Sequence, residues 1–227
     1  MKHRKPRTPR TTRKAAGLGI VATAGLALAA GTTTADASPG SSRISHAIAI
    51  AVDMAHSHAD RIHVTQFDQS FNIHEYGPSV AVTANNRATA ESVGCSAEDP
   101  CRSIALSYQI VTTAGKDARL VNATNISRAA NEHCPSCQTL SAAYQFVVAL
   151  PRGIRLSRQA HSELNSISHQ VNALRVSHLP VPEITQRADQ LAREVKTILD
   201  REAARTPRAG DRESGFRPTV TMHRHVR

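Results

Sequence analysis

The sequence has no tryptophan, and its aromatic residues are four phenylalanines and three tyrosines among 227 residues. A core without many large rings must be built from valine, isoleucine, leucine and alanine, which bury less apolar surface per side chain. We therefore expect a thin core in which covalent cross-links contribute to stability. The scarcity of aromatic residues also argues against a surface on which nucleic-acid bases stack.

The central part of the chain has no excess of either charge, although the formal net charge of the whole chain is +10. Residues 1–37 hold seven basic residues and one acidic residue, and residues 201–227 hold seven arginines and three acidic residues. Residues 38–200 hold fourteen of each sign, so the excess belongs to the two ends. A nucleic-acid-binding domain normally carries a basic stripe on its folded part. We predict no nucleic-acid partner.

The sequence contains one long apolar run, AAGLGIVATAGLALAAG at residues 15–31. It follows a basic segment and is followed by small residues at Ala35 and Ala37, which is the three-part pattern of a secretory signal. The run is short and rich in alanine and glycine, so an uncleaved membrane anchor is the less favoured alternative. We predict a signal peptide over residues 1–37 and a secreted or cell-envelope-associated protein, with membrane contact only through the leader if it stays uncleaved.

The chain lacks the sequence motifs of several enzyme classes. We find no HExxH metalloprotease motif, no GxSxG nucleophile elbow and no nucleotide-binding motif. His56, His58 and His63 lie close together, but no carboxylate has metalloprotease spacing to them, so we interpret them as surface residues. On these grounds we assign no catalytic residue, no cofactor and no metal ligand.

A short segment occurs twice in the sequence. Residues 101–111, CRSIALSYQIV, match residues 137–147, CQTLSAAYQFV, at an offset of 36. The match continues upstream at an offset of 39, where Asn86 aligns with Asn125. One three-residue difference in the spacing of the cysteines reconciles the two offsets. We infer an internal duplication.

Each copy of the duplicated unit has the alternation expected of strands. Apolar residues after the second cysteine, such as Leu106 and Tyr108, alternate with smaller or more polar ones, and a period of two predicts a strand. The preceding segments, 79–93 and 119–132, are predicted to be strands as well. We expect each unit to be a strand, a cysteine-closed turn and a second, antiparallel strand, with a helix after the second cysteine as the alternative.

The segments upstream of the duplication are harder to interpret. Residues 62–77 are predicted to be one more strand or a bent pair of strands. Residues 38–58 contain serine and glycine and then a stretch rich in alanine and isoleucine. We interpret them as a linker that includes a short helix.

The four cysteines, Cys95, Cys101, Cys134 and Cys137, are most simply two disulfides in an exported protein. The duplication favours the pairs Cys95–Cys101 and Cys134–Cys137, and a crossed pairing between the two turns is the main alternative. A zinc site of four thiolates is a further alternative. It is disfavoured because five residues separate the first two cysteines and because an oxidising compartment disfavours free thiolates.

The segment Cys134-Pro-Ser-Cys137 also has the spacing of a dithiol redox motif. In redox enzymes of this kind the motif follows a strand and begins a helix, and no such pattern is evident around it here. A thiol–disulfide redox protein that uses Cys134 and Cys137 is therefore the alternative function.

After Pro151 the apolar period becomes helical. Two sets of residues each define one helical face; they are Leu156, Ala160, Leu164, Ile167, Val171 and Leu174, and then Ile184, Ala188, Leu191, Val195 and Ile198. We predict an antiparallel αα-hairpin that packs on the protein's own core, with a coiled-coil surface for a partner as the alternative. From about Ala204 the chain is rich in arginine and glycine and is predicted to be disordered.

The duplicated unit has asparagine and alanine before a cysteine pair and then an apolar run that contains Tyr-Gln-x-Val. In these features it resembles a duplicated cysteine-pair domain of exported proteins from high-GC Gram-positive bacteria, over roughly residues 60–200. Some relatives carry the label of peptide zinc metalloproteases. The resemblance does not imply protease activity here, because the chain lacks the HExxH motif and the transmembrane helices of such an enzyme. Its first cysteine pair also encloses five residues, where the family pattern has two.

These observations predict an α+β fold, with antiparallel strands in duplicated cysteine-turn hairpins followed by a C-terminal αα-hairpin. The predicted organisation is a signal peptide (1–37), a linker (38–58), a β domain (59–151), a helical hairpin (152–203) and a basic disordered tail (204–227). The predicted function is non-enzymatic interaction with a protein or envelope component whose identity the sequence does not reveal.

Overall fold

The computed structural model describes residues 48–114, 120–150, 155–205 and 218–227. All of them belong to one compact unit, Ile44–Arg227. The strands are β1 (Ile48–Ala59), β2 (Thr65–Pro78), β3 (Ala81–Val93), β4 (Arg102–Ala114), β5 (Leu120–Glu132), β6 (Gln138–Leu150) and β7 (Thr219–Val226). The helices are α1 (Arg158–Ala173) and α2 (Val181–Arg205), with a 3₁₀ turn, Leu174–Val176, between them.

The strands form two sheets between which the chain alternates. Sheet A has the order β1-β3-β5 and sheet B the order β2-β4-β6-β7. All neighbours are parallel except β6 and β7, which are antiparallel. The chain therefore winds as three coils of a flattened parallel β-solenoid, β1–β2, β3–β4 and β5–β6, and β7 covers the open edge of β6.

The prediction of antiparallel cysteine-turn hairpins followed by an αα-hairpin is wrong. The two strands on either side of each cysteine turn lie in different sheets, and each one pairs with the equivalent strand of the next coil. The turn is therefore an arc between sheets instead of a hairpin loop. Across the described residues the fold is mixed α/β, with seven strands in two sheets and two helices.

The large apolar core lies between sheet B and the two helices. Tyr108, Tyr144 and Phe146 on one face of sheet B are completely buried against apolar residues of α1 and α2. Every apolar residue of the two predicted helical faces is buried. This confirms that these faces pack on the protein's own core.

The opposite face of sheet B packs on sheet A through small side chains. Ala88 and Ala90 of sheet A contact Ala105 and Ala143 of sheet B in this inner layer. Strands β4 and β6 are thus buried on both faces, as is usual for parallel strands that are covered on both sides. Small residues on one face and large ones on the other explain the alternation in the sequence.

Two segments that the sequence did not predict as strands are strands. Residues 48–59, expected to belong to a linker with a short helix, form β1, and residues 219–226, expected to be disordered, form β7. In β1 exposed and buried residues alternate along the whole strand, and in β7 exposed and half-buried residues alternate from Thr219 to His223. The predicted signal peptide and the first ten residues of the predicted linker lie outside the described residues.

The helices begin where local sequence favours it. Ser157 caps α1, because its hydroxyl oxygen accepts a hydrogen bond from the amide of Ala160 at 3.1 Å. Pro182 lies in the first turn of α2, where a residue without an amide hydrogen costs nothing. The two helices thus begin near the residues that the helical period indicated.

Candidate functional site

The arcs that connect sheet A to sheet B lie together at one end of the solenoid, because the strands of each sheet are parallel. The second arc holds Cys95 and Cys101, and the third holds Cys134 and Cys137. Gly94 has a φ of 70° and His133 a φ of 48°, so the chain enters each cysteine arc through the left-handed region. Glycine takes this conformation without a steric cost.

The structure contains two disulfides, each within one arc. Cys95 and Cys101 are bonded with a Cα–Cα distance of 5.9 Å, and Cys134 and Cys137 with 5.6 Å. This is the pairing that the duplication favoured. Since disulfides persist in oxidising compartments, the bonds indicate that the folded protein occupies one.

The stacking of the two arcs brings both disulfides into one cluster. All four Sγ atoms lie within 4.8 Å of one another, and the side chains are buried except for Cys137, which is half-buried. The amide of Cys101 donates a hydrogen bond to Sγ of Cys137 at 3.0 Å, which links the two arcs directly. The sequence predicted two separate pairs, and only the register between β4 and β6 makes them neighbours.

The first arc contains no cysteine and is held by a carboxylate. Oδ1 of Asp60 accepts hydrogen bonds from the amides of His63 and Ile62 at 2.6 and 2.8 Å. These two bonds lower the pKa of Asp60 below its ordinary value, because they stabilise the charged form. Asp60 thus closes its turn as the disulfides close theirs.

A ladder of amide side chains runs through the inner layer between the sheets. Asn86 Nδ2 donates to Oδ1 of Asn125, and Gln145 Nε2 donates to Oε1 of Gln109. Within each pair the residues are register partners on adjacent parallel strands. Such ladders satisfy buried amides by repeating one contact from strand to strand.

The ladder ends in the first coil at a buried carboxylate. Asp53 accepts hydrogen bonds from Asn72 Nδ2 at 2.7 Å, His74 Nε2 at 2.8 Å and Gln109 Nε2 at 2.7 Å. Its side chain is only 5% exposed. Three donors engage both carboxylate oxygens, so this arrangement is best explained as the terminal acceptor of the ladder.

The face of sheet B that packs on the helices carries a stack of aromatic rings. The ring centroids of Tyr108 and Tyr144 lie 4.7 Å apart, and those of Phe71 and Tyr108 lie 5.5 Å apart. Burial raises the pKa of both tyrosines far above the ordinary value, so both hydroxyls are neutral hydrogen-bond donors. Tyr108 donates to the carbonyl of Ala188 and Tyr144 to the carboxylate of Asp189.

The outer face of β1 carries an exposed apolar stripe. Ile48, Ile50, Val52 and Met54 are 67%, 54%, 65% and 60% exposed. Alternate residues of one strand lie about 7 Å apart on the same face, so the four side chains are contiguous. The sequence did not reveal this stripe, because residues 38–58 were expected to form a linker.

The outer strands of sheet B protect the free edges of sheet A with side chains. Asp68 accepts from the amide of His56 at 2.8 Å, and the hydroxyl of Tyr76 donates to the carbonyl of Ile50 at 2.6 Å. At the opposite edge, Nδ1 of His225 accepts from the amide of Ser127 at 2.9 Å. These bonds occupy backbone groups that a further strand would need.

No helix in the described part of the chain is long and apolar enough to cross a membrane. Comparison with known proteins gives no match, whether with family models, curated proteins or solved structures. The resemblance to a cysteine-pair domain of exported bacterial proteins stays a prediction.

Proposed function

We propose that this protein is an exported, non-enzymatic interaction protein that binds a partner protein through the apolar stripe of β1. One observation carries the proposal: four apolar residues on the same face of one strand are each more than half exposed to solvent. They are Ile48, Ile50, Val52 and Met54. Monomeric proteins rarely expose contiguous apolar side chains unless these bind something.

The surroundings of the stripe favour a protein partner. On β3, Ile48 is paired with Ala81, but the register partners of the other three stripe residues are Thr83, Asn85 and Arg87, so polar residues flank most of the apolar stripe on this side. An apolar centre with a polar rim is typical of protein interfaces. A membrane-surface strand would need several basic residues beside the apolar ones, and Arg87 is the only basic register partner of the stripe.

Site-specific photo-crosslinking tests the proposal. A benzophenone amino acid at Val52 would probe the stripe, and the same probe at Asn172, which is exposed on α1, would be the matched control. Both variants are produced in the natural host, irradiated in culture and analysed by mass spectrometry. We expect an adduct with one discrete protein from position 52 and none from position 172.

Three outcomes would contradict the proposal. An adduct of the chain only with itself would identify a homodimer, and an adduct only with lipid would identify a membrane surface. Equal crosslinking from both positions would mean that the stripe has no special role.

A second candidate function is thiol–disulfide exchange at Cys134 and Cys137. It is favoured by the partial exposure of Cys137 and by the amide of Cys101 at 3.0 Å, which would stabilise a thiolate on that sulfur. The test is reduction of insulin disulfides by the wild-type protein and by Cys134→Ser. Catalysis that the substitution abolishes, with folding preserved, would support the redox function. An inactive wild type would eliminate it.

A further inference from the structure

We propose that the four cysteines form a second, reduced state in which their thiolates bind one soft divalent cation, with Zn²⁺ as the representative ion. In the oxidised state each arc is closed by its own disulfide. In the metal state a single ion would join the second and third arcs. The cluster would thus hold the same end of the solenoid in two chemically different ways.

The geometry of the sulfur atoms carries this inference. Tetrahedral zinc–thiolate sites have Zn–S bonds of about 2.3 Å, which places neighbouring sulfurs about 3.8 Å apart. The four Sγ atoms already lie within 4.8 Å of one another. Small side-chain adjustments therefore suffice: bonded sulfurs move apart and the two pairs move together. The two cysteine pairs have different spacings in the sequence, but this does not prevent a shared metal site, since each of the two stacked arcs supplies two ligands.

The surroundings of the cluster also fit a thiolate site. A tetrathiolate site has a net charge of −2, which must be offset where it is buried. The amide of Cys101 already donates to Sγ of Cys137. The guanidinium of Arg61 is hydrogen-bonded to the carbonyl of Gly94, next to Cys95, and brings a positive charge to the same end.

The chemical balance of the switch is simple. Reduction of each disulfide takes two electrons and two protons from a dithiol, which itself becomes a disulfide. The four resulting thiols release four protons when they bind one divalent cation as thiolates. Metal binding is therefore expected to weaken as the pH falls and to require prior reduction.

The test uses the full chain after reduction with a phosphine under anaerobic conditions. Co²⁺ is the spectroscopic probe, because a tetrahedral four-sulfur site gives intense visible bands and thiolate-to-metal charge-transfer bands. We expect one Co²⁺ per chain, its displacement by Zn²⁺, and protection of all four thiols from alkylation. The oxidised protein should bind neither ion at this site.

Substitutions test the composition of the site. Cys95→Ser and Cys137→Ser should each abolish the four-sulfur spectrum, and should weaken Zn²⁺ binding by more than the roughly tenfold cost of losing an outer-shell partner. The matched control is His133→Asn, which removes the neighbouring imidazole and keeps a residue that tolerates positive φ. Its spectrum should be unchanged.

Several results would overturn the proposal. These are failure of the reduced protein to bind Co²⁺, a stoichiometry of two, or a spectrum that Cys95→Ser leaves intact, which would mean that only the Cys134–Cys137 arc binds. If reduction unfolds the chain, recovery of the folded circular-dichroism spectrum becomes the criterion. One equivalent of Zn²⁺ must then restore the folded spectrum, and failure to do so also rejects the site.

Discussion

At the scale of the residue, the inner layer depends on the side-chain amide of Asn86, whose nitrogen and oxygen are both hydrogen-bonded. Asn86 is 1% exposed; its Nδ2 donates to Asn125 and to the carbonyl of Tyr144, and its Oδ1 accepts from Ser107. Its neighbour Asn85 points to the outer face of sheet A and is only half-buried. Two adjacent asparagines therefore have very different roles.

We expect Asn86→Ala to lower the free energy of unfolding by about 2–4 kcal/mol, because it leaves several buried polar groups without partners. Asn85→Ala is the matched control and should change stability by less than about 0.5 kcal/mol. Urea unfolding followed by circular dichroism measures both. Equal effects of the two substitutions would show that the ladder does not stabilise the inner layer.

At the scale of the element, each cysteine arc is closed by its own disulfide, which encloses a short loop. The sequence separations are 6 and 3 residues, so each disulfide restricts only a small part of the unfolded chain. The benefit of a disulfide grows with the length of the loop that it closes. The two bonds should therefore contribute similarly to stability.

We expect the double variants Cys95→Ser/Cys101→Ser and Cys134→Ser/Cys137→Ser each to lose about 2 kcal/mol of stability. Urea unfolding under oxidising conditions in the presence of a chelator measures this loss. The control is the wild type reduced by a phosphine, which should be at least as unstable as either variant. A variant as stable as the oxidised wild type would mean that its disulfide has no structural effect.

Strand β7 is attached to helix α2 by a charge pair. Arg224 donates to both carboxylate oxygens of Asp189, at 2.6 and 2.9 Å, and Tyr144 donates to the same carboxylate. Burial raises the pKa of Asp189, but the hydrogen bonds from Arg224 and Tyr144 outweigh it and bring the pKa below its ordinary value. The charged form of Asp189 therefore stabilises the folded state.

Because the folded-state pKa of Asp189 is lowered, its contribution is complete above the unfolded value of about 3.9 and is lost as the pH falls further. We expect Asp189→Asn to cost at most about 1 kcal/mol at pH 6, since Arg224 is partly exposed to solvent. The difference from wild type should begin to shrink below about pH 4 and should vanish only once the pH falls below the lowered folded-state pKa of Asp189. Urea unfolding at a series of pH values tests this, and a difference that is constant with pH would contradict it.

At the scale of the whole molecule, the two ends of sheet B differ. β7 pairs with β6 from Ala142 to Ala149 and covers that edge, and it also places His225 against the edge of β5. At the other end of sheet B, β2 is the terminal strand. The C-terminal strand therefore limits further stacking of strands on one end of the solenoid.

We expect deletion of residues 218–227 to lower the thermal unfolding temperature and to cause concentration-dependent association, because the edge of β6 becomes available for pairing. Light scattering after size-exclusion chromatography measures the association. Arg224→Gln is the control, since it removes the charge and keeps the strand. A truncated chain that stays monomeric at high concentration would contradict this role of β7.

Particular residues explain what sequence reasoning missed. The first coil was not recognised because Asp60, and no cysteine pair, closes its arc. β7 was missed although Val220, Met222 and Val226 alternate and pack on the core, because the surrounding arginines suggested disorder. The clustering of the cysteines could not be foreseen, since it depends on the stacking of the two arcs.

The sequence by itself determined the local features: period-two strands around the cysteines, helical faces after Pro151, and the pairing of Cys95 with Cys101 and of Cys134 with Cys137. Alternation specifies which side chains share a face of a strand. It does not specify which strand is the neighbour, because a hairpin and an arc between sheets have the same strand–turn–strand pattern. Only the stacking of the coils decided the parallel pairing, and with it the amide ladder, the sulfur cluster and the exposed stripe of β1.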